Sequence, residues 1–295
     1  MRGEPFSTLQ ANVAVMRDPM FPLYVVRGER NVLVDCAILA KANEIEKNLT
    51  ALLGGNGIAM VLLTHSHYDH TGACSHLQKK FGFEIVASQR TKEILENDKA
   101  VAFIDDLNQK FKKIMNDNSG SVFSKPRDIR AVGEHDRIPL PGGQFFEVYE
   151  TPGHTRCSIS FRLQPENILF PGDAAGVMEK NGKIKPLFLS SYTQYEGSLK
   201  KLLALEAEVL ALAHNTAIKG KENVREFLAA SLDETQKLKE KIIDRLGQSA
   251  DFGLIAERLL AEEYVSPTIM GPREALVINV TAMVKSVYYE FVKAP

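Results

Sequence analysis

Cysteine, charge imbalance and histidine are all scarce in this sequence, and each scarcity excludes something. Cys36, Cys74 and Cys157 are the only cysteines in 295 residues. An odd number without a C-x-x-C pair argues against a disulfide framework and points to reduced thiols. Cys157 stands three residues after His154, which makes it a candidate to line a site there. Lys and Arg number 36 against 37 Asp and Glu, a net charge of −1 with no basic block. Nucleic acid is therefore not expected as the main substrate, since neutralising phosphates takes clustered cations. The opening residues Met1-Arg2-Gly3-Glu4-Pro5 hold no apolar stretch of signal length, and no run approaches a membrane span. A cytoplasmic location with no membrane partner is the expectation. There is no repeat of solenoid period and no low-complexity tract. The rest, 44% apolar and 25% charged, is enough for a substantial core.

The few histidines are concentrated. Of seven in all, His65, His67 and His70 fall within six positions, with Asp69 among them. The apolar run 58–63 precedes them and reads as a strand buried on both faces. A strand that ends in imidazoles and a carboxylate is a poor core but a good metal site, because zinc, iron and manganese accept these donors. In an extended H-x-H, His65 and His67 point to one side and can share an ion. Asp69 and His70 follow the bend and can face a second ion. Further along, His154 follows the strand-like run 145–149, Asp173 follows 167–169, and His214 ends the run 209–213. Each lies at the C-terminal end of an expected strand, where open α/β sheets place their sites.

The H-x-H-x-D-H run at 65–70, followed in order by His154, Asp173 and His214, resembles the metallo-β-lactamase superfamily. The likeness covers roughly residues 10 to 220. It implies a four-layer αβ/βα sandwich in which His65, His67 and His154 bind one divalent metal and Asp69, His70 and His214 a second, with Asp173 bridging. Zinc is the metal expected, with iron and manganese as alternatives.

Around the motif the chain alternates strand and helix. Runs 11–16, 22–27 and 31–35 read as strands. Asp35, ending the third, could be a surface charge, but the resemblance implies a carboxylate that orients a ligand histidine. Apolar residues at three- and four-residue spacing make 38–53 an amphipathic helix, and 72–81 with strand 84–88 completes a β-α-β unit. The segment 91–117 is in helical phase and is placed to form one wall of a pocket. Strands are expected at 129–132, 136–138, 144–149, 158–163 and 167–170, and a helix at 196–204 that Tyr192 to Tyr195 precede. After Gly220 the pattern becomes helical throughout, with a third helix starting at Gly271-Pro272. The expected organisation is a catalytic domain over 1–220 and a helical extension over 221–295. That extension serves either as a lid or as the surface of a homodimer.

Two metals about 3.5–4 Å apart can share a hydroxide that attacks a carbonyl ester, with Asp69 accepting its proton as the catalytic residue. Lactonases of the superfamily carry a tyrosine three residues after the bridging aspartate; Gly176 stands there, though Tyr192 or Tyr195 could substitute. The whole-chain likeness is to quinolone-signal-response-type thioesterases, resting on Gly172-Asp173-Ala174-Ala175-Gly176, Pro186-Leu187-Phe188, the 91–117 insert and the helical tail. That likeness implies a thioesterase acting on acyl-CoA or another small-molecule acyl substrate. Val177, Leu187, Leu189 and Tyr192 are the expected apolar pocket. The alternatives are a lactonase, and a regulatory protein that acts through partner binding with little turnover.

Overall fold

The computed structural model describes residues 6–179, 181–263 and 273–293. Strands β1 (Phe6–Gln10), β2 (Val13–Met16), β3 (Leu23–Val26), β4 (Asn31–Val34), β5 (Ile58–Leu62), β6 (Glu84–Ser88) and β7 (Ile129–Val132) form one sheet in that order. It is antiparallel from β1 to β4 and parallel from β4 to β7. A second sheet takes β8 (Arg137–Pro139), β9 (Phe145–Glu150), β10 (Ile159–Gln164) and β11 (Ile168–Phe170). After the separate hairpin β12 (Val177–Met178) and β13 (Ile184–Lys185), it is completed beyond β11 by β14 (Val209–Ala211) and β15 (Ala217–Lys219).

The two sheets face each other because each strand alternates apolar residues to both sides. Tyr24, Val32, Val34, Met60, Leu62 and Val86 point inward to meet Phe146, Phe161, Ile168 and Phe170. The alternate residues, Val25, Leu33, Val61 and Ile85, point outward. That outer face is covered by α1 (Ala42–Leu53), α2 (Tyr68–Thr71), α3 (Cys74–Phe81), α4 (Gln89–Glu96) and α5 (Asp98–Ile114). The segment 91–117 is thus two helices, divided at Asn97, whose side chain accepts from the N–H groups of Lys99 and Ala100. Over the second sheet lie α6 (Tyr192–Ala204) and α7 (Lys221–Gln248), then α8 (Phe252–Glu263), α9 (Arg273–Val287) and a π-helical turn, Tyr288–Val292. The architecture is the expected four-layer sandwich with C-terminal helices.

Three expectations need correcting. Tyr192 to Tyr195 do not precede α6 but form its first turn, because Ser191 accepts from the Gln194 N–H and starts the helix there. The strands β1 and β15 and the β12–β13 hairpin stand where none was expected. Among the described residues one helix, Arg273–Val292, is long and apolar enough to cross a membrane by length and composition, although no such run was anticipated. Val280, Met283, Val284 and Val287 on it are buried in the cluster shared with α6 and α7. The start expected at Gly271-Pro272 lies outside the described residues, as does Met1 to Pro5.

Candidate metal centre

The seven residues come together at one end of the sandwich. β5 runs into the loop carrying His65 and His67, and Asp69 and His70 lie on the short helix α2 that turns the chain back. His154 sits in the β9–β10 loop, Asp173 just beyond β11, and His214 beyond β14. Two glycines allow the loops to approach this closely. Gly153 has φ +125°, and a Cβ there would lie 2.2 Å from the Tyr195 nitrogen. At Gly172, φ +53°, a Cβ would lie 2.7 Å from Thr64 Oγ1.

Donor atoms of His65, His67, His154 and Asp173 lie within 4.8 Å of one another, as do those of Asp69, His70 and His214. The two oxygens of Asp173 divide between the groups. Oδ2 is 3.2 Å from His154 Nε2, while Oδ1 is 3.3 Å from His214 Nε2 and 3.5 Å from His70 Nε2. Asp69 Oδ2 lies 3.7 Å from His214 Nε2.

The rings are aimed by what holds their other nitrogens. His154 Nδ1 is 2.8 Å from the Leu187 carbonyl and His214 Nδ1 is 2.8 Å from that of Met20. A carbonyl only accepts, so each Nδ1 carries the proton and leaves Nε2 as a bare donor to the centre. His70 Nδ1 donates to Asp35 Oδ2 at 2.8 Å, and His65 Nδ1 donates to Thr64 Oγ1, which itself donates to Asp35 Oδ2 at 2.9 Å. Asp35 is therefore the hub that orients two of these histidines, the role the resemblance implied. His67 differs, presenting Nδ1, 3.0 Å from His154 Nε2.

Several of these buried atoms have no hydrogen bond. His65 Nε2, His70 Nε2 and Asp173 Oδ1 are buried and unpartnered, and although Asp173 Oδ1 is near two imidazoles, it is not aligned to accept from either. Orphaned polar atoms converging on shared points are costly unless something occupies the points. Five imidazoles and two carboxylates in two groups fit a pair of divalent cations. Burial, then charge on neighbouring imidazoles, holds His65 well below its ordinary value, and the same causes bring His67 down to about 3. Burial also lowers His154, against the pull of Asp173. At His70 and His214 burial acts the same way, but Asp173 and the acids around it prevail and raise both. Asp173 is held well below the usual carboxylate range by His214, His70 and His154 despite its burial. The centre thus keeps an ionised carboxylate between neutral and cation-favouring imidazoles.

Replacing Asp35 by Asn keeps the left-handed backbone (φ +56°), which Asn tolerates, while removing the acceptor charge. Metal affinity is expected to fall about 10- to 100-fold without loss of fold. Titration of the apo protein with zinc beside a circular dichroism melt checks it.

A cavity of about 230 Å³ opens from the centre. His67, Asp69, His154, Asp173 and His214 form one end. Tyr68, Phe103 and Leu107 line it from α2 and α5, Leu187 and Glu179 from the loops, and Leu260, Ala275, Leu276, Ile278, Asn279, Val280 and Met283 from α8 and α9. Of the four expected pocket residues, Leu187 alone lines it. Val177 is buried in β12 opposite Lys185, Leu189 packs into the cluster beneath α6, and the Tyr192 ring lies against Phe188 and Phe291. Neither phenol considered for a lactonase reaches the cavity: Tyr192 Oη donates to Glu196, and Tyr195 Oη is placed against the Asp173 carbonyl. Gly176 cannot carry one either, since at φ +79° a Cβ would lie 2.9 Å from the Lys185 carbonyl oxygen. Cys157 is buried behind the motif, 3.4 Å from Ser66 Oγ and not in the cavity. Sequence reasoning missed Tyr68 and Glu179; the first was visible as one of two unassigned positions inside the motif, beside Ser66, while the second had no signal.

The model of the metallo-beta-lactamase superfamily matches residues 22–214, and the chain belongs to that superfamily. It is a metallo-hydrolase of the superfamily whose histidines and aspartates are positioned for divalent metal. Among relatives, the metallo-beta-lactamase fold-containing protein ST1585 of Sulfurisphaera tokodaii is 24% identical over 267 residues, 86% of this chain and 90% of that one. Its crystal structure matches with a TM-score of 0.59 at 19% identity, over 92% of this chain and 94% of that one. A hydroxyacylglutathione hydrolase of Rhodospirillum rubrum is 31% identical over 52% of this chain and 46% of its own. An atrochrysone carboxyl ACP thioesterase of Aspergillus fumigatus is 25% identical over 63% of this chain and 46% of its own. The chain spans about half the length of these last two relatives.

Proposed function

We propose that this chain is a dinuclear metal-dependent thioesterase acting on acyl-CoA or another small acyl thioester. The observation that carries the reading is a cavity with members of both ligand groups at one end and largely apolar side chains along the rest. At about 230 Å³ it falls below the roughly 300–1,000 Å³ of drug-sized pockets, and it suits an aromatic group or an acyl chain of modest length. Two relatives support the thioester class, one named for hydrolysing an acylglutathione and the other as an ACP thioesterase. Nitrogen and carboxylate donors together favour zinc, with iron and manganese as alternatives.

Two such cations would supply Lewis acidity toward the acyl carbonyl and activation of water at neutral pH. The chain does the rest. Asp173 stays ionised between the groups and sets their separation. Asp69, on the cavity side with its carboxylate less buried, accepts the proton as catalytic residue. Leu187, Leu260, Val280 and Met283 exclude bulk water and hold the acyl group. In this reading 1–220 is the catalytic domain and the extension 221–295 supplies the wall. The three buried free thiols fit a cytoplasmic setting.

Metal content of purified protein, together with turnover of matched thioesters, lactones and phosphodiesters, tests the proposal; lactone turnover far above thioester turnover would overturn it. The wall is tested by Met283→Gln, expected to raise KM for a medium-chain acyl thioester about tenfold with two metals retained, as loss of apolar burial implies. Unchanged kinetics with a shift from dimer to monomer would make the tail an assembly surface instead.

A further inference from the structure

Among the described residues, five buried side-chain atoms have no hydrogen-bond partner. His65 Nε2, His70 Nε2 and Asp173 Oδ1 belong to the metal centre. Glu166 Oε2 is the fourth, and its carboxylate is held through Oε1, which accepts from Gln144 Nε2 at 2.6 Å. The fifth, Glu179 Oε2, belongs to neither case. Glu179 is 3% exposed, lines the cavity, and is not a ligand. Its backbone is fixed: the N–H donates to the Lys183 carbonyl at 2.8 Å and its own carbonyl accepts from the Gly182 N–H at 2.9 Å. Glu179 thus lines a cavity whose other walls, away from the metals, are largely apolar, and its buried Oε2 has no donor there. An unpaired buried carboxylate is costly, and such a group persists where a ligand completes it.

We infer that Glu179 is a specificity-determining residue that accepts a hydrogen bond from a donor on the substrate, an amide N–H, hydroxyl or ammonium group, and disfavours a substrate bearing a carboxylate there. This rests on the thioesterase reading for the identity of the scissile bond, but not for the recognition itself. An ionised carboxylate only accepts, so it completes its bonding with a donor and repels an anion. The substrate class narrows accordingly. Thioesters with a neutral amide-bearing arm, or with a hydroxyl or amino group on the acyl chain, fit; plain alkyl thioesters leave Glu179 unsatisfied.

The test uses zinc-reconstituted full-length protein and non-hydrolysable thioethers in two matched pairs. One pair sets an S-octyl N-acetylcysteamine thioether against its all-alkyl counterpart, placing the donor on the leaving-group side. The other sets a hydroxylated or aminated S-alkyl chain against the unsubstituted chain, placing it on the acyl side. Calorimetry on the wild type is expected to show a preference of about 10- to 100-fold for the donor-bearing member of one pair, as for hydrogen bonds to a charged group. Glu179→Leu should abolish the preference while binding the all-alkyl member as well or better. Glu179→Gln should keep it for a neutral donor and lose it for an ammonium, because its amide oxygen still accepts but carries no charge. Equal binding within both pairs by the wild type, or an equal loss for both members in Glu179→Leu, would overturn the assignment. Because the readout is binding, a preference without turnover of the corresponding thioesters would leave Glu179 standing and remove the thioesterase reading alone.

Discussion

Asp173→Asn is expected to lower turnover by two or more orders of magnitude while the protein stays folded. The change is nearly isosteric, so packing beneath the β11 loop is kept. What it removes is the charge on two oxygens that face different ligand groups, Oδ2 toward His154 and Oδ1 toward His214 and His70. A carboxamide offers one oxygen and an NH2 donor, and the donor end would meet a cation with the wrong polarity or tie up the Nε2 lone pair of an imidazole that should face the metal. The size of the loss follows from the several kcal/mol that metal polarisation contributes, about 1.4 kcal/mol per factor of ten. Steady-state kinetics with metal analysis on the same preparation decide the outcome. Wild-type turnover in Asp173→Asn would mean that the reacting centre lies elsewhere.

Chelation is expected to abolish turnover and to lower the melting temperature by roughly 5–10 °C, both reversed by adding zinc to two equivalents per chain. Binding to the folded state alone stabilises it by about 4 kcal/mol when ligand exceeds its Kd a thousandfold, and each kcal/mol moves a chain of this size by about 2 °C or more. The effect is large because removal uncovers the buried nitrogens of His65 and His70 and the Asp173 oxygen at once. Differential scanning calorimetry before and after dialysis against a chelator, with elemental analysis, makes the measurement. A plateau at one equivalent would remove the dinuclear mechanism, as would an unchanged melt with activity retained.

The ligand set is legible in the sequence because its signal is local and chemically unusual. Histidines at strand ends have few structural uses, and β5, β9, β11 and β14 are apolar enough to be recognised as strands. Asp35 is legible only through the family resemblance, since an acid ending a strand reads equally well as a surface charge. The pocket is not legible. Val177 and Tyr192 are as apolar as Leu187, and only the pairing of β12 with β13 and the early start of α6 turn them away from the cavity. Such orientation depends on register and on one capping hydroxyl, which hydrophobic periodicity does not encode. Short strands such as β15 have too few residues to show alternation. Glu179 escapes for a different reason: a lone acid in a turn has no spacing to distinguish it from any surface charge, and its isolation from partners exists only in three dimensions.

The close approach at Gly153 and Gly172 has an evolutionary consequence. A Cβ at either would collide with Tyr195 or Thr64, so the loops that carry His154 and Asp173 tolerate almost no drift. The cavity wall from Leu260, Leu276 and Met283 stands on helix surfaces far along the chain, where swaps among apolar side chains of similar volume cost less than about 1.5 kcal/mol. Reactivity and selectivity therefore sit on stretches of chain under very different constraint. Descendants of such a sequence can explore new acyl groups by altering α8 and α9 while inheriting the reaction centre intact.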